Sequence, residues 1–209
     1  MGHCKVDQIK FILKEELMIL GSTVINSNKK FQAFKFGEHP VGTSLCFYFS
    51  GIGRRPGKGQ DFDVVEAMAF DMDAAVAKGV EGALGTVKYL SFSMQAQIDS
   101  YVNGREDKKT GKRGTPCMFV GKFYKLTYKT PAGTEYTDSN GALKQTQSIG
   151  YELEQILVDE GTAAAFQEFL VSENIPAAME AYRKATAGMV QGVEQVSQEP
   201  AAPSNLPKL

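Results

Sequence analysis

Cys117-Met-Phe-Val-Gly-Lys-Phe-Tyr-Lys-Leu-Thr-Tyr-Lys129 is the stretch on which the fold reading turns, because its aromatic and alternating composition reads as a long strand. Met118, Val120, Tyr124, Leu126 and Tyr128 take the core face. Phe119, Phe123, Lys125 and Lys129 take the other. A strand that is dry on one side only belongs to an antiparallel sheet, so the neighbouring segments are read as its partners.

Upstream, Leu90 to Asp99 alternates strictly, with Leu90, Phe92, Met94, Ala96 and Ile98 on one face and Ser91, Ser93, Gln95, Gln97 and Asp99 on the other. Asn103-Gly104 and the basic run Arg105 to Arg113 then form the hairpin between these two strands. Downstream, Pro131-Ala132-Gly133 turns the chain toward Thr134 to Thr137, and a last strand runs from Gln145 to Val158, with Ile149, Tyr151 and Leu153 on one side. Shorter strands are expected at Ser22 to Asn26, Phe31 to Phe36 and Thr43 to Ser50, separated by Asn-Ser-Asn, Gly-Glu-His-Pro and Gly-Ile-Gly.

Helices are read from spacing and caps. Val6, Ile9, Leu13, Leu17 and Leu20 recur at steps of three and four before Gly21. Asp63 and Glu66 have the spacing of a capping box, and Phe62, Val65, Ala69, Met72 and Val76 follow at helical intervals up to Gly79. Thr162 precedes a helix over Ala163 to Val171, and Asn174-Ile175-Pro176 starts another, with Arg183 and Lys184 near its negative pole. After Gly188 the chain turns rich in Gln, Pro, Ala and Ser. The expected fold is α+β: a curled antiparallel sheet or small OB-like barrel with flanking helices and a flexible C-terminal tail. Residues 1–160 form the β-rich core, 161–188 a helical cap and 189–209 the tail.

Composition narrows the class. With 209 residues and 43% apolar content the chain can bury a full core. No run approaches the roughly 18 apolar residues of a membrane span. Met1 to Lys10 lacks the order of a secretory signal, and Val6 stands where a myristoylation motif requires Ser or Thr, so a cytoplasmic, non-membrane protein is expected. Cys4, Cys46 and Cys117 are too few and too scattered for a disulfide framework or a zinc site, and His3 and His39 are the only histidines. No metal or other cofactor is expected.

Charge carries the functional expectation. Residues 1–60 hold nine basic residues against four acidic, 61–104 two against seven, 105–144 nine against four, and 145–209 three against nine. Blocks of like charge become patches, and a basic patch concentrates polyanions. Arg54, Arg55 and Lys58, together with Arg105, Lys108, Lys109, Lys112 and Arg113, would form a basic groove. Phe119 and Phe123 would flank it as stacking rings, with Lys125 and Lys129 beside them. This points to a non-enzymatic single-stranded nucleic-acid-binding protein, expected to be a homo-oligomer. In the plainer alternative for these residues, the two rings lie under a helix and the lysines are a solvated loop tip.

Catalytic chemistry finds no support. Gly51 to Gly59 follows a strand, but Ile52 and Gly59 occupy positions where a P-loop requires Gly and Ser or Thr. Asp61, Asp63, Asp71 and Asp73 lack metal-ligating spacing, and neither histidine completes a nucleophile–base pair. From Gln145 to Tyr182 there are seven carboxylates and no Lys or Arg. That supports the alternative function of a phage- or plasmid-encoded assembly protein whose complementary charge patches join copies.

Overall fold

The computed structural model of the chain describes residues 30–193. The helix read over Val6 to Leu20, the strand over Ser22 to Asn26 and residues 194–209 lie outside them. The described residues form a mixed α+β fold. Strands β1 (Gln32–Ala33), β2 (Ser44–Arg55), β3 (Phe62–Phe70), β4 (Lys88–Phe92), β5 (Phe123–Thr130) and β8 (Gly150–Ile156) make one sheet in the order β1-β4-β3-β2-β5-β8. All its pairings are antiparallel except β1 with β4. β1 and β8 stand at opposite edges, so the sheet is open and does not close into a barrel. A separate hairpin, β6 (Glu135–Thr137) with β7 (Leu143–Gln145), projects between β5 and β8 in the chain.

Both faces of the sheet are covered. On one side Phe47, Phe49, Val65, Phe92, Tyr124 and Leu126 pack with Met94 and Ile98 of the segment that carries α2 (Gln95–Val102). On the other, Tyr48, Met68 and Phe123 meet α1 (Met72–Gly85), α3 (Glu160–Ser172) and α4 (Ile175–Val193) through Leu84, Phe166 and Ala178. α4 thus runs to Val193, past Gly188, where the tail was expected to begin.

This two-sided covering explains three departures from the sequence reading. Phe62 to Phe70 is strand β3, not the first turns of a helix, because its central residues Val64, Val65, Ala67, Met68 and Ala69 are buried on both faces of the sheet, and apolar residues on both faces fit a helical template by chance. Asp63 and Glu66 pair with Arg54 and Arg55 instead of capping a helix. The helix begins only at Met72, capped by the Asp71 carboxylate, which accepts from Asp73 N–H at 2.8 Å, and it kinks at Lys78–Gly79 where the sequence suggested a stop. Leu90 to Asp99 is strand only as far as Phe92. Met94 and Ile98 then share a face at helical spacing, with Ile98 N–H donating to the Met94 carbonyl at 2.7 Å.

The stretch 117–129 divides similarly. Gly121, at φ 82°, breaks the pleat, and only Phe123 onward is strand. Before it, the Cys117 and Met118 N–H groups both donate to the Tyr101 carbonyl, tying the turn to the end of α2. Strand β8 is shorter than the expected Gln145 to Val158, since Gln145 ends β7 and the strand spans only Gly150 to Ile156, but Ile149, Tyr151 and Leu153 do pack on one cluster. The cap of α3 shifts upstream of Thr162: the Asp159 carboxylate accepts from both the N–H and the hydroxyl of Thr162 at 2.8 Å.

Phe166 fastens the helical layer to the sheet. Its ring stands 4.8 Å from Phe123, 5.3 Å from Phe70 and 5.9 Å from Tyr48, and it is 1% exposed. Truncating such a ring removes its transfer free energy and leaves a cavity, so Phe166→Ala should cost about 3–5 kcal/mol. Urea unfolding followed by far-ultraviolet circular dichroism checks this; a loss below about 1 kcal/mol would mean that the α3 layer is not seated on the sheet.

Candidate nucleic-acid interface

The loop that follows α2 is the most cationic surface in the fold. Asn103 caps the helix C-terminus, and the chain leaves it to build a small ladder in which Gly114 N–H donates to the Arg105 carbonyl at 3.0 Å and Asp107 N–H to the Lys112 carbonyl at 2.9 Å. The Asp107 carboxylate accepts from Lys109 N–H at 2.8 Å and rounds the tip. The loop is therefore shaped by backbone bonds, with Lys108, Lys109 and Lys112 exposed around it.

Arg113 anchors this loop. Its Nη1 donates to both Asp99 oxygens at 2.9 Å and to the Gly104 carbonyl at 3.1 Å, and Nη2 lies 3.7 Å from Glu106. Asn103 adds a side-chain bond to Asp99 at 3.2 Å. The Arg113 guanidinium, and then the Asn103 amide, hold the Asp99 carboxyl below the usual carboxylate range. Among the described residues no ion pair engages Arg105, Lys108, Lys109 or Lys112. Four cations thus stand together without acidic partners.

The other expected site residues fall into different environments. Arg54 reaches Asp63 at 3.4 Å, and Arg55 donates to Glu66 at 2.8 Å and to the Arg54 carbonyl at 3.2 Å. Glu66 is 18% exposed and crosses over Gly53, where a Cβ would collide with its carboxylate. Arg54 and Arg55 are thereby held by their own hairpin, while Lys58 is exposed at its tip. Lys129 pairs with Glu152, and Lys125 lies across from Glu154 in the β5–β8 register.

The rings are corrected by the structure. Phe123 is 2% exposed beneath α3, so it is a core residue and presents no face for stacking. Phe119 is half-buried in the turn before β5, with its N–H donating to the Tyr124 hydroxyl at 2.7 Å, and it does not share a sheet face with Phe123. Nor do sheet and loop residues form one groove. Phe123, Lys125 and Lys129 alternate onto the face of the helical layer, whereas the 105–113 loop continues from α2 on the opposite side of the sheet.

Much of the acidic block is occupied within the chain. Glu152 is paired with Lys129, Glu180 bridges Arg183 at 2.7 Å and Lys184 at 3.8 Å, and Asp159 caps α3. Among the described residues no cluster of three His, Cys, Asp or Glu is placed to hold a metal ion, and no helix is long and apolar enough to cross a membrane.

One feature escaped the sequence reading. Between the β6–β7 hairpin and α2 lies an open groove of about 730 Å³, bordered by Tyr136, Gln97 and the run Gln145-Thr-Gln-Ser148. The run reads as the start of a strand, and the clue it offered was four successive neutral polar residues. No family model, no curated protein and no solved structure matches this chain, so its own residues carry the functional argument.

The Asp99–Arg113 anchor has a definite pH sense. Because the folded state depresses the Asp99 pKa, the anchor holds at and above the ordinary carboxylate range and is lost as pH falls through the lower folded value. Amide resonances of residues 103–114 should shift together on acidification, with a midpoint below that of an unpaired aspartate. Asp99→Asn should give shifts at neutral pH resembling the acid spectrum, and identical neutral-pH spectra for the two proteins would rule the anchor out.

Proposed function

We propose that this protein is a non-enzymatic, cytoplasmic binder of single-stranded nucleic acid, held chiefly through the phosphate backbone by the 105–113 loop. The observation that supports the reading is the grouping of Arg105, Lys108, Lys109 and Lys112 on one hydrogen-bonded loop without acidic partners among the described residues. Cations already paired gain little from a phosphate, since an existing partner must be displaced first. Unpaired ones release counterions from the strand directly. Lys58, at the tip of the β2–β3 hairpin, is a further candidate contact. Phosphate neutralisation needs neither a closed barrel nor the rings of the sheet.

A second reading, self-association of copies, is favoured by one specific observation. Met72 and Val158 are exposed apolar residues that line a groove of about 320 Å³ between α1 and α3. Such apolar exposure is commonly found where surfaces associate.

A fluorescently labelled oligothymidylate, titrated at several salt concentrations, tests the first reading. Binding should be measurable at low salt and weaken as salt rises. Replacing Arg105, Lys108, Lys109 and Lys112 together by Ala should lower the magnitude of the log–log salt slope by about 3, at roughly 0.7 per lost phosphate contact. Absence of binding at low salt, accompanied by light scattering that grows with protein concentration, would transfer the assignment to self-association.

A further inference from the structure

The buried rings leave the phosphate-binding loop without a partner for the bases, and the groove between the β6–β7 hairpin and α2 has the chemistry to supply one. Tyr136 is 47% exposed on β6 and borders the groove, offering a ring to a flat ligand. Gln97 and Gln147 contribute amides, each both donor and acceptor, of the kind that pairs with the polar edges of nucleobases, while the Gln145 amide is turned to Glu135 on the other face of the hairpin. The lining has one cation, Lys144, and it is neutralised by Asp138 at 2.6 Å. A neutral, amide-rich cleft beside a ring suits a base and disfavours a phosphate.

Its position relative to the loop gives the second argument. Gln97 lies in α2 and its Nε2 donates to the Ile149 carbonyl at 3.4 Å, so one wall of the groove is α2 itself. The basic loop leaves the same helix at Asn103. At about 1.5 Å of rise per residue, roughly 9 Å of helix separates Gln97 from the start of the loop, so groove and loop lie along one helix, where a single strand of several nucleotides can reach both. Its volume of about 730 Å³ lies within the range of about 300–1,000 Å³ typical of small-ligand sites.

We infer that this groove holds a base of the same strand whose phosphates the 105–113 loop neutralises, with Tyr136 stacking on it and Gln97 and Gln147 meeting its edge. The inference rests on the phosphate-binding reading and adds base recognition to it. Phosphates would govern salt dependence, and the groove would distinguish a strand with bases from one without.

The test compares an oligothymidylate with an abasic deoxyribose-phosphate strand of equal length. The wild-type protein should bind the first roughly tenfold tighter, the effect of one stacked base. Tyr136→Ala should abolish that difference while leaving affinity for the abasic strand unchanged. Because the side chain is exposed on a hairpin, far-ultraviolet circular dichroism should confirm unchanged folding. Since the chain has no Trp, Tyr136→Trp supplies a single emission signal, which oligothymidylate should quench and the abasic strand should not. Equal binding of both strands, insensitive to Tyr136→Ala, would overturn the groove inference and leave the loop reading standing. Failure of both strands to bind at low salt would overturn both.

Discussion

The centre of strand β3 is dry on both faces, with only Glu66 reaching a surface partner between Val64 and Ala69, and much of the architecture follows from that constraint. Val65 and Ala67 are fully buried toward α2 and Met68 toward the helical layer, so the sheet needs a covering element on each face before its centre is dry. Phe166 and its ring neighbours supply one cover, while Met94, Ile98 and Met118 supply the other. Each large buried apolar side chain is worth roughly 1.5–3 kcal/mol of transfer free energy. A sheet covered this way cannot also offer its central rings to a ligand.

The surface cations and amides available to a ligand lie not on the sheet but on what hangs from it. The 105–113 loop and the β6–β7 hairpin are built from backbone ladders and polar caps, not from buried apolar area. Their cations and amides remain at the surface because the core does not require them. The electrostatics divide along the same line. Arg54, Arg55, Arg113 and Lys129 are engaged by carboxylates on adjoining strands, on α2 or within the loop, whereas Arg105, Lys108, Lys109 and Lys112 lie on a loop with few carboxylates of its own. A cation's availability depends on where the nearest acid lands after folding, and not on its place in a basic block.

The sequence was legible where one physical requirement acted alone. Ile149, Tyr151 and Leu153 alternate because β8 is an edge strand with one dry side, and Asn174-Ile175-Pro176 marks the start of α4 because the Asn174 side chain accepts from the Ala177 N–H at 3.1 Å. It misled where two requirements coincided. The centre of Phe62 to Phe70 had to be apolar on both faces, and those residues, spaced by Asp63 and Glu66, imitate a capped helical stripe. In Leu90 to Asp99, periods of two and of four fit the same residues, and the choice was made by Met94 and Ile98 turning together into the core.

By itself the sequence determined an α+β chain with a large core, helices in its last third, and a cationic run from Arg105 to Arg113, because hydrophobic content, capping residues and charge are local properties. Only the tertiary structure decided that Phe123 is core, that Arg113 is an anchor, and that Tyr136 and Gln97 border one groove. Those outcomes depend on which segments cover which face of the sheet, and covering is a relation between residues distant in the chain that no single window of sequence contains.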